Sequence, residues 1–142
     1  MKNKPITCEQ FKKRLSDLCV RSGLSGLPRK LQDRHIIMKS VVLTLEAGEE
    51  YTEKQIDENL KLWLANIGSS IGLDHVTLRR QLVELKYLER KMDGSRYRVC
   101  PSGPGQSMFE SGVENIDIYE VIHACRDSIE QKRQEYLRQR GI

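Results

Sequence analysis

Hydrophobic residues recur with the spacing of an amphipathic helix in four stretches of the chain, which predicts a mainly helical fold. The stretches are residues 7–22, 28–48, 53–66 and 117–138. The first three begin at or just after a residue suited to a helix start, namely a threonine, a proline and a second threonine. Between residues 73 and 99 the periodicity changes, which indicates a different kind of structure there.

A fifth helix is predicted over about residues 74–86. Asp74 is a good N-cap, because its carboxylate can accept the free N–H groups of the first helical turn. Leu78, Leu82 and Leu85 then form one apolar stripe at helical spacing. This helix is therefore expected to pack on the core along its leucine side and to present its other faces outward.

Basic segments on either side of Asp93 and Gly94 predict a β-hairpin over about residues 88–99. Asp-Gly favours a type I′ turn, which needs a positive φ at both central residues. Residues 67–72, IGSSIG, come before the fifth helix and are expected to form a flexible connector, the turn of a helix-turn-helix. A helix-turn-helix followed by a tight basic hairpin is the pattern of a winged helix.

The sequence thus predicts a mainly α fold with a small β-hairpin (α+β), in which a winged helix-turn-helix core carries extra N- and C-terminal helices. The predicted parts are an N-terminal helix and linker over residues 1–26, a winged-helix domain over 27–99, and a linker with the C-terminal helix over 100–142. Turn-forming residues at 22–26 and 101–105 predict the two linkers.

Positive charge is concentrated in the predicted helix and hairpin. Residues 79–98 contain seven basic and three acidic residues, a net charge of +4, which equals the net charge of the whole chain. The basic residues are Arg79, Arg80, Lys86, Arg90, Lys91, Arg96 and Arg98. Such a patch is typical of a polyanion-binding site, although a solvated surface also carries many lysines and arginines.

The residue types that catalysis and metal binding need are poorly arranged. The four cysteines form no C-x-x-C pair and none has a histidine at metal-ligand spacing, so no metal site is expected. Cys8, Cys19 and Cys125 lie on apolar stripes and are expected to be buried, whereas Cys100 is expected nearer the surface. His35 has no acid or second histidine spaced to assist it and is interpreted as a helical residue beside the core. We therefore expect neither an enzyme nor a bound cofactor.

The sequence also bears on location. The first ten residues lack the apolar segment of a secretory signal, and no apolar run approaches membrane-spanning length. Cysteines without a disulfide pattern are typical of a reducing compartment. The expectation is a cytoplasmic protein with no membrane partner.

Several short segments together resemble a known family, the bacterial domain-of-unknown-function family number twenty eighty-seven. They are LPRK at 27–30, YTE at 51–53, TLRR at 77–80, LV at 82–83 and DGSRY at 93–97. The resemblance covers about residues 27–99. It implies a winged-helix-like domain, which in that family occurs alone or behind a separate helix-turn-helix domain in transcriptional regulators. The resemblance implies no activity.

Two features depart from the family pattern. The family commonly has glycine where this chain has Lys86, at the end of the fifth helix. A lysine in the left-handed conformation costs on the order of 1 kcal/mol, so the helix is expected to end differently here. The link before Asp74 is also longer than in the family, which bears on how the following arginines are presented.

The first functional hypothesis is a DNA-binding transcriptional regulator of winged-helix type. The predicted recognition helix is residues 74–86, and the predicted wing is residues 88–99. In such a protein Arg80, and with it Arg79, would face the major groove and contact a guanine edge. The full set of predicted DNA-contacting residues is His75, Thr77, Arg79, Arg80, Lys91, Arg96 and Arg98. Double-stranded DNA is the expected partner, and the terminal helices are expected to form a homodimer contact.

The alternative hypothesis is a non-enzymatic protein-interaction or effector-sensing module with the same fold and no DNA binding. In that case Arg79 and Arg80 would be structural and would pair with acids such as Glu49, Glu50 or Glu53. Partial burial of both guanidinium groups would favour this alternative. Full exposure on a positive face would favour DNA.

Overall fold

The computed structural model describes residues 4–21, 26–100 and 105–141 of the chain. The helices are α1 (Cys8–Ser16), continued by a π-helical turn (Asp17–Arg21), α2 (Leu31–Val42), α3 (Glu53–Asn66), α4 (His75–Glu84), α5 (Gly105–Met108) and α6 (Ile118–Gln139). Short 3-10 turns lie at Ser69–Ile71 and Ser111–Asn115, and the strands are β1 (Tyr51–Thr52), β2 (Leu88–Arg90) and β3 (Arg96–Val99). The predicted fold class, mainly α with a small β part, is confirmed.

The three strands form one antiparallel sheet in the order β1–β3–β2. The hairpin pairs Leu88 with Val99 and Arg90 with Tyr97, and β1 places Tyr51 opposite Tyr97 on the other edge of β3. The sequence predicted the hairpin but not β1, because two residues are too few to show an alternating pattern. The chain order of α2, β1, α3, α4 and the hairpin is the arrangement of a winged helix.

The hairpin turn is not the type I′ turn that the Asp-Gly pair predicted. Gly94 has a φ of +76°, but Asp93 keeps a negative φ. The N–H of Gly94 donates to the carbonyl of Lys91 at 2.8 Å, which puts Met92 and Asp93 at the centre of the turn. The Asp93 carboxylate accepts hydrogen bonds from the backbone and hydroxyl of Ser95, at 2.9 and 2.7 Å. These hydrogen bonds stabilise Asp93 in the turn, so that its backbone does not need the left-handed conformation.

Two predicted helix limits are wrong. Pro28 was expected in the first turn of α2, but the helix begins at Leu31. The carbonyl of Pro28 instead accepts a hydrogen bond from Arg34 Nε at 2.6 Å, which holds the proline segment against the first turns of the helix. The helix also ends at Val42 rather than near Gly48.

The connector before α4 is anchored rather than flexible. Ile71 is fully buried within the 3-10 turn. The hydroxyl of Ser70 donates to the carbonyl of Cys19 at 2.6 Å, which ties the connector to the first helical segment. The expectation of a flexible connector is therefore corrected. Residues 22–25 and 101–104, on which the predicted linkers fall, lie outside the described residues.

Trp63 is the largest fully buried side chain in the core, as its place on the apolar face of α3 predicted. Gly68 lies against its ring, so closely that a Cβ there would be 2.2 Å from a ring carbon. The turn after α3 can pass over the indole only because residue 68 has no side chain.

The N- and C-terminal segments dock on the back of α2. Ile6 and Phe109 form a parallel β-bridge, and Phe11 packs edge-on against the Phe109 ring. Two buried charges on α2 are paired with partners from these segments. Asp33 accepts two hydrogen bonds from Arg14, each 2.9 Å long, and Lys39 contacts the carboxylate of Glu114.

The cysteines mostly follow expectation. Cys19 and Cys125 are buried, whereas Cys8 and Cys100 are half-buried, so the expectation is wrong for Cys8. In the described part of the chain, no cluster of three or more histidine, cysteine or acidic residues could hold a metal ion. Within the same residues, no helix combines the length and the apolar character needed to cross a membrane.

Candidate nucleic-acid interface

Helix α4 is fixed at both ends by its own sequence. Asp74 caps its start, and its carboxylate accepts the backbone N–H of Thr77 at 2.7 Å. This hydrogen bond and the neighbouring N–H groups keep the pKa of Asp74 below its usual range. Leu78 and Leu82 are fully buried and hold the helix against the core. The opposite side of α4 is therefore presented to solvent in a defined orientation.

The helix ends through a left-handed residue, contrary to expectation. Lys86 has a φ of +65°. The N–H of Tyr87 donates to the carbonyl of Leu82 at 2.8 Å, and the N–H of Lys86 donates to the carbonyl of Val83 at 3.1 Å. This pattern satisfies the terminal carbonyls and buries Tyr87, which offsets the strain of a lysine in this conformation.

The exposed side of α4 carries Val76, Arg80 and Glu84, spaced four residues apart. Arg80 has no acidic partner among the described residues. Val76 lies on the same side and leaves 41% of its surface exposed. Sequence reasoning identified Arg80 but missed Val76, although its four-residue spacing from Arg80 was a usable signal.

Arg79 is held inside the fold, unlike its neighbour. Its guanidinium contacts the carboxylate of Asp57 and lies 3.1 Å from Glu53, and only 17% of its side chain is exposed. It also lies over the ring of Tyr97, with 5.8 Å to the ring centre. Burial alone would lower the pKa of Arg79, but the Asp57 carboxylate leaves it raised. The expectation that Arg79 faces a groove is therefore corrected, since its acidic partners lie on α3.

The hairpin arginines differ in how far they are neutralised. Arg98 lies opposite Glu89 on the neighbouring strand and pairs with it at 2.8 Å, and this hydrogen bond raises the pKa of Arg98. Lys91 lies 3.9 Å from Glu50, a loose surface pair. Arg96 is exposed, and no acid within the described ranges pairs with it.

Arg90 was missing from the predicted set. It lies directly opposite Tyr97 in the hairpin register, and its guanidinium is 6.0 Å from the centre of that ring. A Cβ at Gly94 would lie 2.6 Å from an Arg90 nitrogen, so the side chain runs along the turn. A turn centred on Asp93 and Gly94 would place residue 90 opposite Tyr97, and this was a usable signal.

A family model describing an uncharacterised protein conserved in bacteria, DUF2087, matches residues 23–99. The chain belongs to this family. A search of curated proteins and a search of solved structures each gave no match. The family model ends at Val99, the last residue of β3, so the DUF2087 domain contains α2 to α4 and the whole sheet.

The first turn of α4 carries two further predicted residues of the DUF2087 domain. His75 and Thr77 are both half-buried beside the Asp74 cap. The structure therefore brings His75, Thr77 and Arg80 together on one helix, while Lys91, Arg96 and Arg98 lie on the hairpin. Arg79 stands apart, as part of the packing between α3 and α4.

In the folded DUF2087 domain, acidic residues neutralise part of the positive charge that is concentrated in residues 79–98. Acids from α3 and the segment before it neutralise Arg79 and Lys91, and Glu89 neutralises Arg98. Four bases in the 79–98 segment have no acidic partner within the described part of the chain. They are Arg80, Lys86, Arg90 and Arg96.

Proposed function

We propose that this chain is a transcriptional regulator that binds double-stranded DNA through α4 and the β2–β3 hairpin. The observation that carries the proposal is the exposed side of α4, where Val76 and Arg80 project beside a basic hairpin. An α-helix fits the major groove, and its first turns reach the base edges. The anchoring of α4 by Leu78 and Leu82 gives such a contact a fixed orientation.

Each exposed residue has a chemically suitable partner on DNA. Val76 can contact a thymine methyl group. Arg80 lies on the same side of the helix, and its guanidinium group can donate hydrogen bonds to the DNA. His75 and Thr77, near the helix N-terminus, suit phosphate contacts. On the hairpin, Lys91, Arg96 and Arg98 suit phosphates or a narrow minor groove, and the fully exposed Met92 lies at the turn.

The test is binding to fluorescently labelled duplex DNA of random sequence, followed by anisotropy across a salt series. A DNA-binding protein gives a steep linear fall of log K with log salt concentration. Arg80→Ala is expected to lower the affinity by about 1–3 kcal/mol, and a combined Arg96→Gln and Arg98→Gln variant is expected to flatten the salt dependence.

Lys12→Gln is the matched control, because Lys12 is an exposed cation on α1 with no acidic partner in the described ranges, and α1 packs against α2 and α6. It removes one charge far from the α4 surface and should leave binding within about twofold, a loss of roughly 0.4 kcal/mol. No binding at low salt, or an equal loss in the Lys12 variant, would count against a DNA interface at α4.

A second function is favoured by the pairing of Arg79 with Glu53 and Asp57. Structural use of this arginine is what a non-enzymatic protein-interaction or effector-sensing module would require. Arg80 is exposed, however, so only one of the two arginines behaves in that way. Absence of DNA binding at every salt concentration, with the chain folded by circular dichroism, would favour this second function.

We further propose a homodimer through α6, which would present two copies of α4 to DNA. Ile122 is buried in the fold, and Ile129 and Tyr136 continue the same stripe at seven-residue spacing, with 39% and 55% of their surface exposed. In a parallel pair of α6 helices, Glu135 would lie near Arg140 of the other copy. An antiparallel pair would instead bring arginines together, so charge favours the parallel arrangement.

Sedimentation equilibrium tests this contact. Ile129→Lys is expected to shift the protein toward monomer, whereas Gln131→Lys, the same substitution on the outer side of α6, is expected to leave the mass unchanged. A wild-type chain that stays monomeric at high concentration would rule out the contact.

As a whole, the proposed function is non-enzymatic, uses no cofactor and belongs in the cytoplasm.

A further inference from the structure

A cleft of about 500 Å³ separates α4 from the sheet. One wall is formed by Val76, Arg80 and Val83 of α4, and the other by Arg90 and Tyr97 of the hairpin. We call this space the α4–hairpin cleft. It brings an arginine of α4, Arg80, and an arginine of the hairpin, Arg90, to the same opening.

The charges of the cleft are unequally compensated. Arg79 also lines it, but this guanidinium is engaged by Glu53 and Asp57. Arg80 and Arg90 have no acidic partner in the part of the chain that the structure describes. Glu84 is the acid of the lining, and one of its oxygens accepts a hydrogen bond from Gln81 at 3.1 Å. The opening of the cleft is therefore positive.

Arg90 is held in place before any ligand binds. Its guanidinium lies over the Tyr97 ring and against Gly94, which restricts its side-chain conformations. Less conformational entropy is lost when such a group binds a ligand. Arg80 approaches the same opening from the opposite wall.

Two guanidinium groups on opposite walls suit a tetrahedral anion. A phosphate group has enough oxygens to accept hydrogen bonds from both arginines at once, and guanidinium forks match its geometry. A carboxylate has two oxygens and would satisfy one fork only. Val76, Val83 and Tyr97 add apolar surface to the walls, but the positive charge at the opening favours an anionic ligand.

We propose that the α4–hairpin cleft binds one phosphate group between Arg80 and Arg90. The part of the inference that names DNA rests on the proposed function. In a DNA complex, this phosphate belongs to the DNA backbone, and it is bound where the strand passes between α4 and the hairpin. Arg80 then positions the protein on the backbone and does not read a guanine edge. The same chemistry admits free phosphate or a phosphorylated small molecule.

The first experiment titrates inorganic phosphate into the full chain and follows the arginine Nε–Hε signals by NMR. Saturable shifts of the Arg80 and Arg90 signals are expected, and they should disappear in Arg90→Gln. Arg90→Lys keeps the cation over Tyr97 but loses the fork, so it should weaken phosphate binding without disturbing the fold. Shifts that grow linearly and affect Arg96 equally would overturn the inference.

The second experiment measures DNA affinity and base preference for Arg80→Gln and Arg90→Gln, with Lys12→Gln as the control. Loss of a phosphate contact lowers affinity uniformly across sequences and reduces the salt slope by roughly one. Relaxed preference at a single base pair in Arg80→Gln would overturn the inference while the DNA-binding function stands. Saturable phosphate binding without any DNA binding would overturn the function, and the cleft would then take a free phosphorylated ligand.

Discussion

The guanidinium of Arg79 on α4 contacts the carboxylate of Asp57 on α3, and 17% and 21% of the two side chains are exposed. This pair joins the two helices of the helix-turn-helix. Arg80, the next residue after Arg79, projects into solvent. The two adjacent arginines therefore have different roles. Arg79 connects α4 to α3, and Arg80 is available to a ligand.

Replacing Arg79 by alanine is expected to reduce the free energy of unfolding by about 1–3 kcal/mol, because Asp57 is left part-buried without its partner. Urea denaturation of the single variants and of the Arg79→Ala, Asp57→Asn double variant measures the coupling. Arg80→Ala is the control and should change stability by less than about 0.5 kcal/mol. Equal effects of the two arginine substitutions would contradict a structural role for Arg79.

Gly68→Ala is expected to destabilise the protein by about 1–3 kcal/mol, because the added Cβ would overlap the buried ring of Trp63. Gly48→Ala is the comparison, since Gly48 has a φ of +87° but no atom within 4 Å of the added carbon. It should lose about 1 kcal/mol through backbone strain alone. The chain has one tryptophan, so its fluorescence should change in the Gly68 variant only.

Lys86→Gly is expected to raise the free energy of unfolding by about 0.5–1 kcal/mol, because glycine adopts the left-handed conformation without strain. Thermal and urea unfolding measure the gain. Lys86→Ala removes the same charge and keeps a Cβ, so it should give no such gain. A stabilised alanine variant would show that charge, and not the backbone, is responsible.

Stability is expected to fall as the pH drops from about 7 toward 5 through His35. Burial lowers the pKa of His35 below its ordinary value of about 6.5. The unfolded chain therefore binds a proton at His35 before the folded chain does, and stability is lost as the pH falls through 6.5 toward the folded pKa. The ring nitrogen Nδ1 lies 2.7 Å from the hydroxyl oxygen of Tyr87, and this contact is buried with the ring.

The measurement compares urea unfolding at pH 7.5 and 5.5 in the wild type and in His35→Gln. The variant should lose part of the difference between the two pH values. His123→Gln serves as the control, because 79% of the His123 side chain is exposed. The role of His35 would be contradicted if the His123 variant removed as much of the pH dependence.

Local signals predicted the helix starts that a side chain caps, but not the start of α2, which has no such cap. Thr7, Thr52 and Asp74 each cap a helix through the side-chain oxygen that the sequence suggested, and Asp117 caps α6 in the same way. Such caps depend on residues three positions apart, which a linear sequence displays directly. The hairpin was predictable for the same reason, although its turn type was not.

Features that depend on distant residues were mostly not predictable, although Glu53 was named as a possible partner of Arg79 and does pair with it. Strand β1 exists because Tyr51 and Thr52 pair with β3, about 45 residues further along. Asp57 was missed as the partner of Arg79, because nothing near either residue indicates the packing of α3 on α4. The α4–hairpin cleft depends in turn on that packing and on the hairpin register, so the role of Arg90 required the three-dimensional arrangement.

The pairing of Asp33 and Lys39 with Arg14 and Glu114 links the matched family domain to the segments on either side of it. A fragment trimmed to residues 23–99 would retain two inward-facing charges on α2 and lose both of their counterions. Family members without equivalent flanking segments should therefore carry apolar or small polar residues at these two positions. The residues at positions 33 and 39 of α2 would then indicate, from the sequence alone, which relatives share the flanking helices of this chain.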